Sequence, residues 1–190
     1  MKTLYIERST GECRDGSWVE KLDLEGVERI VVGTGPGSFA GIRSALAFAQ
    51  GYALGKKCEV LGLPSPCAVA AQFYQEQPPS STSTSHLHLA VLGDARQGKI
   101  WIALFDGYRL EKDVFQVGLD DVCKSVPADY KVVTTDAGRI DGALREMFGD
   151  RYCGGRIPTS EGLRAFAEAN PAILTPEPRP IYLNPAVRTA

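Results

Sequence analysis

Residues 33–50 read GTGPGSFAGIRSALAFAQ, a glycine-rich turn between the apolar, β-branched run VERIVV and a stretch whose small and apolar residues recur at helical spacing. Free backbone N–H groups in such a turn, with the positive end of the helix that follows, suit a phosphate or any carbonyl-rich partner. Gly35 and Gly37 allow positive φ, Pro36 presets the turn, Ser38 stands where a helix cap belongs, and Gly55 is placed to close the helix. Two phosphate motifs can be checked by counting. A P-loop needs a Lys before Ser or Thr after its last Gly, and no Lys occurs between Lys21 and Lys56, so that reading fails. Gly35, Gly37 and Ala40 satisfy the dinucleotide variant G-x-G-x-x-A, with Glu59 at a tolerable distance for the ribose. Glu59, however, opens the next apolar run, VLGL, where the ribose-binding acid should close it. A nucleotide- or dinucleotide-binding α/β enzyme using the GTGPGSFAG loop stands as the alternative reading.

Other residue types with chemical potential are fewer. Asp94 and Arg96 lie in GDARQGKIW, where an Asp that accepts backbone N–H bonds is ordinary turn chemistry and a vestigial nucleotide site is the functional reading. His86 and His88 fall on one face of a strand in HLH, with no third ligand nearby, and read as the solvated start of that strand rather than a metal site. Five scattered cysteines without a C-x-x-C pair read as reduced thiols. Neither a Cys–His nor a Ser–His–Asp arrangement occurs in a plausible context, which argues against a peptidase. Trp18 and Trp101 read as sheet-packing aromatics, Tyr182 as a tail anchor, and Asp120–Asp121 as a helix N-terminus.

These residues are carried by a chain of 190 residues, 44% hydrophobic, long enough for one large domain or two small ones. A net charge of -2 makes no electrostatic case for binding nucleic acid alone. No apolar run reaches membrane-spanning length and the N-terminus lacks the core of a signal peptide, so the expected address is the cytoplasm. The segment 3–20 reads as a strand hairpin, followed by the VERIVV strand, a helix to about Leu54, a strand at EVLGL, and a helix from Ser65 to about Gln75. QPPSSTSTS is a low-complexity linker and the natural boundary between an N-terminal half, 1–80, and a C-terminal half, 81–190, with an extended Pro-rich tail. Beyond it the pattern restarts. Strands joined at GDARQG and DG lead to a strand at YKVVTT, a helix from about Ile140 to Phe148, and a helix at SEGLRAFAEAN. Both halves thus open with a hairpin and continue into alternating strands and helices, a weak duplication in topology.

GTGPGSFAGIRSALAFAQGYALG, DARQGKIW and the terminal PIYL, in this order and spacing, resemble the TsaB family, also called YeaZ. The resemblance implies a duplicated α/β architecture of the actin and Hsp70 (ASKHA), ribonuclease H-like kind, here with a shortened first half. It implies a non-catalytic accessory role beside TsaD, the subunit that transfers a threonylcarbamoyl group to tRNA adenosine, with TsaE, an ATPase, as third member. Transfer RNA is then met only through the complex, no cofactor or metal is held, and a homodimer is expected in isolation. Three departures stand out. IERS, with Glu7 and Arg8, replaces the family's L-D-T-S, and Arg8 beside the pocket would repel a divalent cation. The family's long helix before VERIVV has no room between Trp18 and Ile30, and Asn184 replaces the Arg after P-x-Y-L. By this likeness Gly35, Pro36, Gly37, Ser38, Phe39, Arg43, Ala45 and Ala49 are the expected partner-binding residues. Small residues thin the helix surface for close approach by another helix. Arg at Ala45 or Ala49 is expected to break association and leave the fold intact.

Overall fold

The computed structural model of the chain describes residues 1–10, 16–77 and 87–183. The linker at 78–85, His86, Cys13 and Asn184 fall outside them. The chain divides into two compact units, one of Met1–Ala68 with Pro158–Ile181, the other of Val69–Ile157 with the residues from Tyr182 on. The first unit therefore takes in a C-terminal segment that a boundary in the linker would give to the second half.

In the first unit β1 (Lys2–Ile6), β2 (Val27–Gly33) and β3 (Glu59–Leu63) run parallel, with the short β10 (Thr175–Pro176) antiparallel to β3 at the edge. VERIVV is buried on both sides in its second half, as a parallel strand covered by helices must be. Its core gathers Ile6, Ile30, Val32, Ile42, Ala45, Leu46 and Ala49, with Trp18, Phe48 and Tyr52 packed around it. Among the described residues the expected opening hairpin does not form: β1 pairs parallel to β2, and Gly16–Lys21 coil into a 3-10 turn. Trp18 takes its place in that turn edge-on to Phe48, at 5.4 Å between ring centres. An aromatic docked on a helix holds the segment away from the sheet.

The second unit opens with the hairpin that the sequence leads one to expect. β4 (His88–Arg96) pairs antiparallel with β5 (Lys99–Asp106), extended by β6 (Arg109–Leu110) and β7 (Phe115–Gly118) on β5. On the other side β8 (Lys131–Thr134) and β9 (Tyr152–Gly155) continue the sheet in parallel. A single turn, α3 (Val122–Ser125), precedes β8, and α4 (Ala137–Phe148), which begins three residues before Ile140, runs between β8 and β9. The core of this unit centres on Leu92, Ile102, Val132, Leu144 and Phe148.

α1 (Phe39–Lys56) runs through Gly55 and ends with Lys57 in the left-handed region. A glycine is not required to stop it, because the Lys57 N–H still reaches the Ala53 carbonyl. α2 (Pro66–Gln75) starts with Pro at its first position, and α5 (Ser160–Ala169) is capped by Thr159. Among the described residues no helix is long and apolar enough to cross a membrane.

Candidate functional site

β2 delivers the chain into the glycine turn, and the N–H groups of Thr34, Gly35, Ser38 and Gly41 there are already spent. Thr34 N donates to the Leu63 carbonyl at 2.9 Å, and Gly35 N donates to Ser65 Oγ at 3.0 Å while Ser65 N returns a bond to the Gly35 carbonyl at 2.9 Å. Ser38 N donates to the Ser9 carbonyl at 2.5 Å, and Gly41 N to Ser38 Oγ at 3.3 Å, the capping bond. The segment after β1 is laid across the start of α1. A side chain at Gly37 would meet the Ser9 carbonyl, and one at Gly41 the Arg8 carbonyl. The glycines are thus required by the approach of the protein's own backbone, and the donors that a phosphate would need at Thr34, Gly35, Ser38 and Gly41 are occupied. Glu59, the candidate ribose acid, is bound to Arg29 on the neighbouring strand at 2.6 Å.

α1 leaves this turn with two different faces. Gly41, Ile42, Ala45, Leu46 and Ala49 face the sheet and are buried. Ala45 and Ala49, expected on the outer face, have no exposed surface at all. Their small size lets the helix lie close on its own sheet, so an Arg at either position attacks the core. The outer face carries Phe39, Ala40, Arg43, Ser44, Ala47, Gln50, Gly51 and Leu54. Phe39 is 52% exposed with the Arg43 guanidinium 4.9 Å from its ring centre, and Leu54 is 89% exposed. Beside the last turns of α1 lies a pocket of about 580 Å³ lined by Gln50, Ala53, Leu54, Val60, Glu177, Pro178 and Arg179. An exposed apolar residue at each end of a helix face whose other members, Arg43 and Gln50 apart, are small is the kind of patch that protein partners cover.

In the second unit Asp94 is held on all sides. Its Oδ1 accepts from Arg96 N at 2.7 Å, its Oδ2 lies 3.2 Å from Arg139 Nη1 and 3.4 Å from Arg96 Nη1, and its own N–H donates to Asp136 Oδ2. Arg96 sits in the left-handed region with φ 68, which makes the pair the corner of the β4–β5 turn. Its carboxylate is therefore neutralised by two guanidinium groups. His88, read as merely solvated, has Nδ1 2.5 Å from Asp129 Oδ2 and stacks on Tyr130. Burial pushes the Cys67 thiol well up, and burial with the nearby Glu59 raises that of Cys58, so neither supplies a ready thiolate. Among the described residues no three His, Cys, Asp or Glu side chains gather to hold an ion. Sequence reasoning missed Leu54, which it named only as the approximate end of the helix, and the pocket, which joins α1 to residues 177–179 far along the chain.

Two α/β units, each with three parallel strands and helices packed on the sheet, define a ribonuclease H-like protein of the actin and Hsp70 class. Over residues 19–131 the sequence matches the family described as TsaD, tRNA N6-adenosine threonylcarbamoyltransferase, and the chain belongs to that family. Its fold is YeaZ-like. A crystal structure of an uncharacterized protein with similarity to peptidase YeaZ from Pseudomonas aeruginosa matches with a TM-score of 0.65 at 22% identity, over 88% of this chain and 79% of that one. YeaZ from Pseudomonas aeruginosa matches with a TM-score of 0.64 at 22% identity, over 87% and 78%. Among proteins of curated function, none matches the sequence.

Proposed function

We propose that this chain is an accessory subunit rather than a catalyst, a scaffold for a TsaD-like threonylcarbamoyl transferase in tRNA threonylcarbamoyladenosine (t6A) formation. The observation that carries the reading is the contrast within one element. The glycine turn spends the N–H groups of Thr34, Gly35 and Ser38 on Leu63, Ser65 and Ser9, whereas the outer face of α1 offers Phe39, Arg43, Ala47 and Leu54 to another molecule. In this reading Gly35, Pro36, Gly37 and Ser38 set the direction of α1, and Phe39 and Arg43 touch the partner. A TsaE-like ATPase joins the assembly, tRNA is met only through it, and the isolated chain pairs with a second copy in the cytoplasm. Family membership supports the tRNA-modification role, and the arginines paired with Asp94 argue against a divalent cation on that carboxylate.

The test is reconstitution with the TsaD-like subunit and its ATPase from the same host, scored by threonylcarbamoyl transfer to tRNA. Transfer should require this chain, and the chain alone should transfer nothing and hydrolyse neither ATP nor peptide. Transfer by the chain alone, abolished by Asp94→Ala, would overturn the proposal. Titration with ATP, ADP and NAD addresses the alternative enzyme reading, which demands measurable binding without a partner.

A further inference from the structure

Glu7 follows β1 directly, and its carboxyl lies beneath the glycine turn. Oε1 accepts from Ser9 N at 2.6 Å. Oε2 is buried, and among the described residues no donor reaches it in full hydrogen-bond geometry. It rests against Gly33, so closely that a side chain at that position would occupy its place, with the Ser65 hydroxyl alongside. Ser65 Oγ already accepts from Gly35 N at 3.0 Å. The Glu7 N–H donates to Ser160 Oγ of α5 at 3.2 Å. Glu7 is thus the joint at which the end of β1, the turn after β2, the start of α2 and the start of α5 meet.

The described residues that face this carboxyl are uncharged apart from Arg8. From β2 and its turn it faces Gly33 and Thr34, from α2 Ser65 and the buried thiol of Cys67, and from α5 Ser160. On its own segment the Arg8 guanidinium lies over the Trp18 ring, 5.1 Å from the centre. Burial is the largest influence and pushes the carboxyl above its ordinary range, against the opposing pull of hydrogen bonds from Ser9, Ser65 and the Arg8 backbone. An uncharged acid can also turn an O–H toward Ser65 Oγ, which a carboxylate cannot do.

We propose that Glu7 is a proton-operated latch: protonated, it fastens residues 7–9 across the glycine turn and the start of α1, and on ionisation that segment loosens. What it fastens is visible in the Ser9 carbonyl, which accepts from Ser38 N, and in the Arg8 carbonyl, which closes on Gly41. The latch belongs to the isolated chain and does not depend on the partner reading. A carboxyl whose folded value is raised stabilises the closed segment fully below the ordinary Glu value and loses that contribution as pH rises toward the folded value. Opening therefore increases up to tenfold per pH unit between the two values, and then levels.

Amide hydrogen exchange at Gly35 and Ser38, compared between the native chain and Glu7→Gln across a pH series, reads this directly, because the ratio cancels the intrinsic pH dependence of exchange. The native amides should match the variant near the ordinary Glu value of about 4.3 and exchange progressively faster than it as pH rises. A ratio that stays constant, or native amides that become better protected with rising pH, would overturn the latch. Should Glu7→Gln fail to fold, the carboxyl carbon resonance of Glu7 in the native chain decides the matter. A midpoint above the ordinary range with protection of the Gly35 and Ser38 amides lost across it upholds the latch, and a midpoint at or below that range, or protection that does not change across it, refutes it.

Discussion

Gly41→Ala sets two physical effects against each other at one site. Inside a helix the exchange of Gly for Ala is worth about 1 kcal/mol of propensity in favour of the variant. At Gly41, however, the new methyl points into the backbone carbonyl of Arg8 and lies 3.3 Å from Ser38 Oγ. A carbonyl held by the end of β1 cannot swing aside as a side-chain tip can, so relief requires a backbone shift, an overpacking cost of roughly 1–3 kcal/mol. The net expectation is a loss of about 0–2 kcal/mol. Gly51 in the same helix is the control, because a methyl there meets nothing within 4 Å. Gly51→Ala should stabilise by about 0.5–1 kcal/mol, leaving the two variants separated by about 1–3 kcal/mol. Urea unfolding followed by circular dichroism measures both, with sedimentation confirming an unchanged assembly state. If Gly41→Ala is as stabilising as Gly51→Ala, the segment after β1 does not close on α1, and the account of the glycine turn is wrong.

Ala49→Arg should fail to fold the first unit, since a buried Arg without a partner costs several kcal/mol; a folded variant that merely changes its assembly state would contradict its place in the core. Ser38→Ala removes the cap of α1 and should cost about 1 kcal/mol in thermal or urea unfolding, whereas no loss would mean that Gly41 N finds another acceptor. Peptide mapping after alkylation of the native protein at pH 8 should find exposed Cys123 modified and Cys67 spared until unfolding, because burial withholds the Cys67 thiolate; modification of Cys67 under native conditions would refute its burial.

What could be read from the sequence follows from how local each signal is. The strand–turn–helix at residues 27–56 was legible because β-branched residues, glycines and a capping Ser each prescribe their own backbone. The β4–β5 hairpin was legible for the same reason, its turn residues being Arg96, Gln97 and Gly98, all at positive φ. Among the described residues the hairpin expected at 3–20 does not form, because the polarity of residues 16–21 is equally compatible with a 3-10 turn, and the docking of Trp18 on Phe48 is a tertiary fact. The facing of α1 was illegible in its own composition. Small residues lie on both sides, Gly41, Ala45 and Ala49 inward and Ala40, Ser44, Ala47 and Gly51 outward, so no apolar stripe distinguishes them. The enclosure of the Glu7 carboxyl could not be anticipated either, since it depends on Gly33 and Ser65, from two other parts of the chain.

Binding between the purified chain and the TsaD-like subunit of its own host, measured by sedimentation with native protein and with Leu54→Arg, tests the accessory role and its surface together. Leu54 is 89% exposed, so Arg there leaves the fold of the chain intact, which circular dichroism verifies. The account predicts a complex with the native chain and its loss, or a weakening of at least tenfold, with the variant. Absence of a complex with the native chain, or equal binding by the folded variant, would contradict it.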